Sequence, residues 1–420
     1  MIEVYKAGGY VTGSAENIHK LRDRLHKCRF PMVLVVSAME KVTDDLVKKI
    51  IPNNGNLVDL KEKHITLAKE LGVYDRSLEI GLDNYMREID PALGERLILP
   101  IVERYLGVEL RVGKIRSYHL GIRTKRKNGD NVLDKECGDN VDKQILRLLN
   151  RKDVLIVTGY EARGENDEVT TLKRDGSDST ATFIANCTDA NAVYLLKKNP
   201  ILTGDPDIVK AKPVKFLKYE TAAESGGLQF SSLAYAKERD IVVYVESIDD
   251  MNNCTRVSSE SFYVDQTKEI VIGGLEECKL LTVDGISDMP GAEDEIRKLL
   301  IENEVNKVIQ AETRHSVSYV LNDPDDRYEL LNRNLEKMVR IIGKDRASLR
   351  DCSLISMSGI YSNEERELFF RLAKSNVLGS WISGKTSCYI AVPKEDYKPT
   401  IKDIHKRLVE ERDVSNMYLN

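Results

Sequence analysis

The sequence predicts an α/β protein in which a mainly parallel sheet, covered by helices on both faces, is followed by two smaller units of ferredoxin-like size. Three observations predict this class. Continuous apolar runs rich in β-branched residues alternate with helical patterns as far as residue 245, which is typical of parallel sheets. After residue 268 the strands and helices become shorter. These shorter elements then occur twice in the same order.

The first part begins as a βαβ unit. Residues 2–5 and 32–36 form the first two predicted strands, and a helix with one apolar face lies between them. Residues 41–112 are predicted to be mostly helical, and residues 125–131, a basic run with an Asn-Gly turn, to be a solvated hairpin tip. The remaining predicted elements are strands at 154–159, 192–196 and 240–245 and a helix at 178–188. A sheet of this kind binds ligands at the carboxyl ends of its strands.

The second part consists of two similar units. In each, a strand is followed by a helix, two strands and another helix, which is the βαββα order of ferredoxin-like domains. The first strands, at 279–285 and 353–359, both end in glycine. We interpret the units as a tandem repeat, with two unrelated α+β fragments as the alternative. The other expected elements are helices at 296–300 and 328–338 and strands at 307–309 and 316–320, then helices at 368–372 and 401–408 and strands at 379–382 and 386–390.

Composition and charge restrict the class of function. The chain has 420 residues with 63 Lys and Arg against 68 Asp and Glu, so that no global basic field points to nucleic acid or a membrane surface. No apolar run reaches the roughly 18 residues of a membrane span, and the amino terminus lacks the apolar centre of a signal peptide, which predicts a cytoplasmic protein. A small anionic or zwitterionic substrate is easier to reconcile with this balance.

Cysteine and histidine spacing predicts neither disulfides nor a metal site. The seven cysteines lie far apart, contain no CxxC pair and are odd in number. The six histidines form no HxxxH or HExxH pattern. We therefore expect reduced thiols that mostly fill the core, and no structural metal.

Two segments have the composition of an anion-binding site. Lys6-Ala7-Gly8-Gly9 follows the first strand, where paired glycines let backbone N–H groups approach phosphate oxygens and the lysine adds a point charge. Residues 170–178 lead into a helix of small residues and place Arg174, Ser177 and Asp178 at its positive end. One of the last two is expected to cap that helix. The alternatives are an ordinary strand–helix turn and an ordinary capped loop.

Five blocks, taken in order, resemble the aspartate kinase branch of the amino-acid kinase family. They are K-A-G-G-Y-V-T from Lys6, V-V-S-A-M-E-K-V-T from Val35, G-E-R-L from Gly94, T-T-L-K-R-D-G-S-D-S-T-A from Thr170 and L-T-G-D-P-D from Leu202. Taken alone, G-E-R-L would be read as exposed helix charge. The order and spacing of all five make the match specific. The tandem repeat is similar to the family's pair of ACT regulatory domains, so the resemblance covers essentially the whole chain.

The resemblance implies a role for each matched residue. Lys6 would neutralise charge on the transferring phosphate, and Asp178 would complete the catalytic pair. Glu95 would hold the substrate amino group and Arg174 its α-carboxylate. The substrate-binding residues would be Ser37, Glu95, Arg174 and Ser177. The nucleotide-binding residues would be Gly8, Gly9, Lys197, Lys198 and Asp205.

The chain departs from the family pattern chiefly in the nucleotide segment. The family's T-D-V-D-G is replaced by Leu196-Lys197-Lys198-Asn199-Pro200, so both acidic residues are absent. Tyr10 and Val11 replace two small hydroxyl residues, Asp175 replaces a glycine, and Gln229 stands where a lysine is expected. The amino-acid half of the site is therefore better preserved than the nucleotide half.

The leading hypothesis is phosphorylation of the side-chain carboxylate of L-aspartate to 4-phospho-L-aspartate, the first step of lysine, threonine and methionine biosynthesis, with ATP and Mg²⁺ as cofactors. The alternatives are a kinase of another small carboxylate and a catalytically inactive homologue that senses amino acids as a regulatory subunit. We expect a kinase domain at 1–265 and ACT-like domains at 266–342 and 343–420, the leading strand at 269–272 being shared with the second. An amino-acid effector at the ACT domains and a homodimer or larger homo-oligomer are also expected.

Overall fold

The computed structural model describes most of the chain. The described residues are 2–28, 31–53, 55, 57–127, 130–173, 175–225, 227–259, 269–285, 306–312, 316–322, 346–359, 361–373, 377–383 and 386–411, with single positions at 291, 293, 294, 296, 298, 300, 333, 336 and 339. They divide into two compact units. The bounds of the first are Met1–Ile201, Pro213–Ala223 and Leu228–Tyr263, and those of the second are Leu202–Lys212, Glu224–Gly227 and Val264–Asn420.

An eight-stranded sheet forms the centre of the first unit. The strands of this unit are β1 (Glu3–Ala7), β2 (Met32–Val36), β3 (Val112–Ile115), β4 (Thr124–Lys127), β5 (Asp130–Leu133), β6 (Val154–Thr158), β7 (Glu161–Arg163), β8 (Val169–Thr171), β9 (Ala192–Lys197), β10 (Phe216–Lys218), β11 (Val242–Ser247) and β12 (Cys254–Ser258). The sheet order is β10-β12-β11-β9-β1-β2-β6-β3, and every neighbouring pair except β11–β12 is parallel. The predicted mainly parallel sheet is confirmed.

Helices cover this sheet. Those before residue 240 are α1 (Gly9–Thr12), α2 (Ala15–His26), α3 (Val42–Asp45), α4 (Val58–Glu70), α5 (Arg76–Tyr85), α6 (Leu93–Leu106), α7 (Ser117–Leu120), α8 (Gly138–Leu149), α9 (Gly176–Cys187), α10 (Tyr219–Glu224) and α11 (Phe230–Glu238), with a π-helical turn at Leu46–Ile50 and a 3₁₀ turn at Lys135–Cys137. The side chain of Ser14 caps α2 by accepting from the Asn17 N–H, and this helix buries Ile18, Leu21 and Leu25 as its pattern predicts.

The predicted hairpin and the predicted thiols agree with the structure. Strands β4 and β5 pair antiparallel on either side of the Asn-Gly dipeptide, whose two residues lie outside the described part of the chain. All seven cysteines are described, and all are free thiols. Within the described ranges, no helix combines the length and the apolar character that crossing a membrane requires.

A six-stranded antiparallel sheet forms the centre of the second unit. Its strands are β13 (Ile270–Asp284), β14 (Asn306–Glu312), β15 (Ser316–Asn322), β16 (Ala347–Gly359), β17 (Gly379–Ser383) and β18 (Ser387–Val392), in the order β14-β15-β13-β16-β18-β17. The helices with fully described bounds are α12 (Asn363–Leu372) and α13 (Tyr397–His405), and a π-helical turn follows at Lys406–Glu410. Of the two other expected helices, the structure describes only helical residues at 293, 294, 296, 298, 300, 333, 336 and 339.

Two long strands join the halves of this sheet. Residues 270–275 of β13 pair with residues 354–359 of β16, and after a bulge residues 278–283 pair with residues 347–352. Gly285 and Gly359, which end the first strand of each repeat, both have positive φ, at 68° and 132°. A backbone in that region favours glycine, which explains why both first strands end in that residue.

Candidate active site

Three neighbouring parallel strands bring Lys6, Ser37 and Lys197 to one edge of the first sheet. Strand β1 lies between β9 and β2, and Lys6 is opposite Leu195 of β9 and Val35 of β2. Ser37 directly follows β2 and donates its backbone N–H to the Ala7 carbonyl. Lys197 is the last residue of β9. The sequence prediction of a site at the carboxyl ends of the strands therefore places these residues correctly.

Asp178 is the centre of the site. Its carboxylate is fully buried, with Oδ1 2.7 Å from Nζ of Lys6 and Oδ2 2.8 Å from Nζ of Lys197. The Lys6 side chain is 7% exposed and the Lys197 side chain 27% exposed, so the second lysine is the more accessible of the two. One buried carboxylate thus holds two cations, and we call this group the Lys6–Asp178–Lys197 triad.

Electrostatics favour the charged forms of Asp178 and Lys197. Burial alone would raise the pKa of Asp178, but the ammonium groups of Lys197 and Lys6 outweigh it and hold that pKa well below its ordinary value. Burial would likewise lower the pKa of Lys197, whereas the charge of Asp178, and next that of Asp175, raises it. Two positive charges and one negative charge leave the triad with a net charge of one, which favours an anionic ligand.

Helix α9 begins earlier than the sequence predicts. It starts at Gly176, and its N-cap residue Asp175 has the left-handed conformation with φ 57° and makes no side-chain cap bond. Asp tolerates this conformation better than most residues, which lets the turn form where the family has glycine. The prediction that Ser177 or Asp178 caps the helix is wrong, because both lie inside its first turn. Their side chains are therefore available to the site.

The loop after β6 packs against the start of α9. A Cβ on Gly159 would come within 2.5 Å of the Ser177 Cβ, and a Cβ on Gly176 would come within 2.9 Å of the Tyr160 ring. Tyr160 itself has positive φ, at 66°. The helix N-terminus can therefore approach the sheet edge only because two glycines make room for it.

Glu95 is buried, which corrects the reading of G-E-R-L as exposed helix charge. It is 3% exposed, and its neighbour Arg96 is fully buried and paired with Asp90 at 2.8 Å. Burial, reinforced by the charge of Glu161, raises the pKa of Glu95 to about 8 despite donation from backbone N–H groups. Its Oε2 is buried without a hydrogen-bond partner. A buried oxygen in this condition fits the ammonium group of a substrate.

Sequence reasoning missed the ion pair between Arg116 and Glu161. Nε and Nη2 of Arg116 donate to the two carboxylate oxygens of Glu161 at 3.0 and 2.9 Å, and the Thr158 hydroxyl donates to the same carboxylate at 2.8 Å. Glu161 is fully buried. It follows strand β6 by three positions, and a charge at the carboxyl end of a buried strand is the signal that could have identified it.

Packing favours glycine at both positions of the Gly8-Gly9 pair, in addition to the suggested approach of their backbone N–H groups to phosphate. The Gly8 N–H donates to the Leu196 carbonyl at 3.1 Å, so this group is already used. A Cβ on Gly8 would lie 3.4 Å from Nζ of Lys6, and one on Gly9 would lie 3.0 Å from the Ala38 carbonyl oxygen. The turn therefore gives the Lys6 side chain its path to Asp178.

The other predicted residues are less closely tied to the triad. Lys198 is exposed, and its ammonium lies 5.7 Å from the centre of the Tyr10 ring, whose hydroxyl donates to Asp249 at 3.0 Å. Asp205 is an exposed residue of the second unit and accepts the backbone N–H of Asp207. Arg174 lies outside the described residues.

The triad does not fit a metal held by the protein. Both Asp178 oxygens already face ammonium groups at 2.7 and 2.8 Å, and a divalent cation would be repelled by the two positive charges. Within the part of the chain that the structure describes, no group of three or more His, Cys, Asp and Glu could hold a metal ion.

A model of the amino acid kinase family matches residues 1–247. The chain belongs to the amino acid kinase family. This membership confirms the resemblance carried by the five motifs and makes the protein an ATP-dependent amino-acid kinase, a transferase. The family match covers the whole sheet edge at which the triad lies.

Full-length relatives of this amino acid kinase are aspartokinases. Aspartokinase 2 of Bacillus subtilis (strain 168) is 24% identical over an alignment of 426 positions, which covers 96% of this chain and 96% of that one. E. coli aspartokinase III, solved with aspartate and ADP, matches with a TM-score of 0.80 at 19% identity, covering 97% of this chain and 100% of that one. Its complex with lysine and aspartate matches with a TM-score of 0.73 at 21% identity, covering 97% and 99%. These structures confirm the predicted fold, a mainly parallel sheet with helices followed by a region with an antiparallel sheet.

Proposed function

We propose that this amino acid kinase is an aspartate kinase, which transfers the γ-phosphoryl group of ATP to the side-chain carboxylate of L-aspartate. A carboxylate oxygen of aspartate forms the new bond to phosphorus, the bond from phosphorus to the β–γ bridging oxygen breaks, and the products are 4-phospho-L-aspartate and ADP. The aspartokinase relatives, similar to this chain over nearly its whole length, support this substrate.

The observation that carries the proposal is the Lys6–Asp178–Lys197 triad at the start of α9. Phosphoryl transfer needs little covalent chemistry from a protein and depends on positioning and on spreading negative charge. The triad supplies fixed positive charge in a buried setting, where it stabilises negative charge on the phosphoryl group more strongly than it would in water. In this assignment the Lys6 ammonium stabilises the negative charge that develops on the leaving oxygen, and Asp178 holds the Lys6 ammonium in place.

The amino-acid half of the site holds the substrate by its charged ends. Glu95 binds the substrate ammonium group through its unpartnered oxygen, and Arg174 donates two parallel hydrogen bonds to the α-carboxylate. Ser37 and Ser177 border the reacting carboxylate. With both ends bound, the side-chain carboxylate is the part of aspartate left to face the phosphate.

The nucleotide half follows from the remaining predicted residues. Gly9 presents its backbone to the phosphates, beside Gly8, whose own N–H remains bonded to Leu196. Lys197, Lys198 and Asp205 complete the set of nucleotide-binding residues. Mg²⁺ would be bound by the phosphates of ATP, where it would shield the phosphate oxygens. Asp178 is not expected to bind it, because both of its carboxylate oxygens already face an ammonium group.

The proposal extends to the organisation of the whole chain. The kinase domain spans residues 1–265, and ACT domains span 266–342 and 343–420. An amino acid such as lysine, which E. coli aspartokinase III binds, is the proposed class of effector at the ACT domains. The active form is a homodimer or larger homo-oligomer, and the location is cytoplasmic.

A hydroxamate assay with ATP, Mg²⁺ and a panel of small carboxylates tests the proposal. Aspartate should be the best substrate, and Lys6→Ala should lower kcat by ~10³ or more with little effect on aspartate affinity. Lys49→Ala is the matched control, because this surface lysine is 75% exposed and should retain wild-type turnover. The alternative, a non-catalytic amino-acid sensor, is not favoured. It would be supported only if calorimetry found aspartate binding without any nucleotide binding.

A further inference from the structure

The proposed function assigns the second lysine of the triad to the nucleotide, but it does not explain why this lysine also contacts Asp178. Asp178 needs one ammonium group to be neutralised, and Lys6 provides it at 2.7 Å. Lys197 adds a second at 2.8 Å on the other oxygen. Burying an ammonium group is costly unless opposite charge surrounds it, so a second cation on a carboxylate that is already paired calls for a further anion.

Part of that negative charge comes from the chain itself. Asp175, one residue before α9, acts on Lys197 through its charge. It is exposed to solvent, and its effect is correspondingly weakened by screening. Compared with the family pattern, Asp175 is an acid gained in one loop, and Lys197 stands where an acid is lost at the end of β9.

We infer that Lys197 is a built-in cation of the phosphate site that keeps divalent metal off Asp178, so that metal enters this enzyme only on the nucleotide. The inference rests on the proposed function for the identity of the nucleotide. Its geometric basis is separate from it: the ammonium closes the free side of Asp178 to metal, and this lysine, whose side chain is 27% exposed, can contact a phosphate oxygen.

Metal binding to the nucleotide-free protein tests the first half of this inference. Titration with Mn²⁺ alone, followed by electron paramagnetic resonance, should detect no binding to the wild type below about 1 mM, because the triad repels a cation. Lys197→Asp should create a Mn²⁺ site at least about tenfold tighter, since two carboxylates then face each other. Adding Asp178→Asn should abolish the new site. Lys198→Asp makes the same charge change one residue away and should create none.

Nucleotide binding without metal tests the second half. Lys197→Met should weaken the binding of metal-free ADP by at least about tenfold and the binding of Mg²⁺-bound ADP by less than about threefold. The reason is that metal-free ADP carries more negative charge and therefore gains more from an extra cation. Wild-type protein that binds Mn²⁺ through Asp178 would overturn the inference, as would equal effects of Lys197→Met on both forms of ADP. Wild-type protein that binds neither form would contradict the proposed function, and the Mn²⁺ titrations would then decide the inference alone.

Discussion

Glu95 shows at the scale of one residue how burial prepares a group for its ligand. Its carboxyl group is removed from water, and Glu161 adds negative charge nearby, so its pKa rises to about 8. A substrate ammonium group would supply the missing counter-charge. The same residue should therefore control both the pH dependence of substrate binding and part of the pH dependence of stability.

We expect kcat/KM for aspartate to rise with pH up to about 8 in the wild type and to lose this rise in Glu95→Gln. The ionised carboxylate is needed to bind the ammonium group, so the ascending limb reports the pKa of Glu95 in the free enzyme. The variant should also lose about 10²-fold or more in kcat/KM. An unchanged ascending limb in Glu95→Gln would remove Glu95 from the substrate site.

The same variant should be more stable than the wild type at alkaline pH. The pKa of Glu95 in the folded protein, about 8, is above the ordinary 4.5, so stability is complete below the ordinary value and is lost as pH rises to about 8. Glu95→Gln removes this loss, and the difference in unfolding free energy should grow by up to about 5 kcal/mol between pH 4 and pH 9. Urea unfolding at both pH values measures it.

Arg174 carries a prediction that comes from the motif alone. Arg174→Ala should raise the aspartate KM strongly, because aspartate then loses the ~2–4 kcal/mol of binding free energy that a charged bidentate partner supplies. Arg174→Lys should recover little of this loss, because lysine cannot form the same pair of parallel hydrogen bonds. Steady-state kinetics with aspartate as the varied substrate provide the measurement. Full rescue by lysine would show that charge without geometry is sufficient.

At the scale of elements, the position of α9 depends on contacts that only small residues allow. Helix and sheet edge meet where Gly159 faces Ser177 and where Gly176 faces the Tyr160 ring. The turn that carries Tyr160 is held by Glu161, which is bound by Arg116 and Thr158. The helix therefore delivers Asp178 to the two lysines with little freedom to shift.

Gly159→Ala should displace the start of α9 and disable the site. Its Cβ would come within 2.5 Å of the Ser177 Cβ, an overlap that typically costs ~1–3 kcal/mol of stability and moves the backbone. We expect kcat to fall at least about tenfold. Gly81→Ala is the matched control, because no atom lies within 4 Å of its Cβ and an alanine in the middle of α5 should be neutral or slightly stabilising. Equal activities of the two variants would contradict the packing argument.

At the scale of the whole molecule, β14 and β17 are the outermost of the described strands in the antiparallel sheet of the second unit. Exposed apolar residues lie on them, Val308 being 38% and Ile382 53% exposed. Free strand edges pair readily with another chain, and closed symmetric assemblies are the usual result. This sheet is therefore the expected place of self-association.

Light scattering at micromolar concentration should give at least twice the 47.5 kDa of one chain. Val308→Lys or Ile382→Lys should shift the protein toward the monomer if its strand forms the interface, since an edge lysine opposes strand pairing. Ile80→Lys, on the exposed face of α5, is the control and should leave the mass unchanged. A monomeric wild type would exclude this assembly.

Much of the fold could be predicted because the signals for it are local. The strands at β2 and β6 are continuous apolar runs, and the repeat after residue 268 preserves its order of elements. Backbone conformation follows such runs with little help from distant residues. The start of α9 could not be predicted, because it depends on a left-handed Asp175 at a position where the family has glycine.

The sequence by itself determined the family, the candidate residues Lys6, Glu95 and Asp178, and the edge of the sheet at which Lys6 lies, because motif order and strand direction follow from the order of residues along the chain. Only the tertiary structure decided which charges pair. Lys197 reaches Asp178 because β9 and β1 are neighbours, and Glu95 is buried because α6 packs where Gly94 contacts Ala38. Burial and ion pairing depend on residues that are distant in sequence, and their free energies arise only when folding removes water between them.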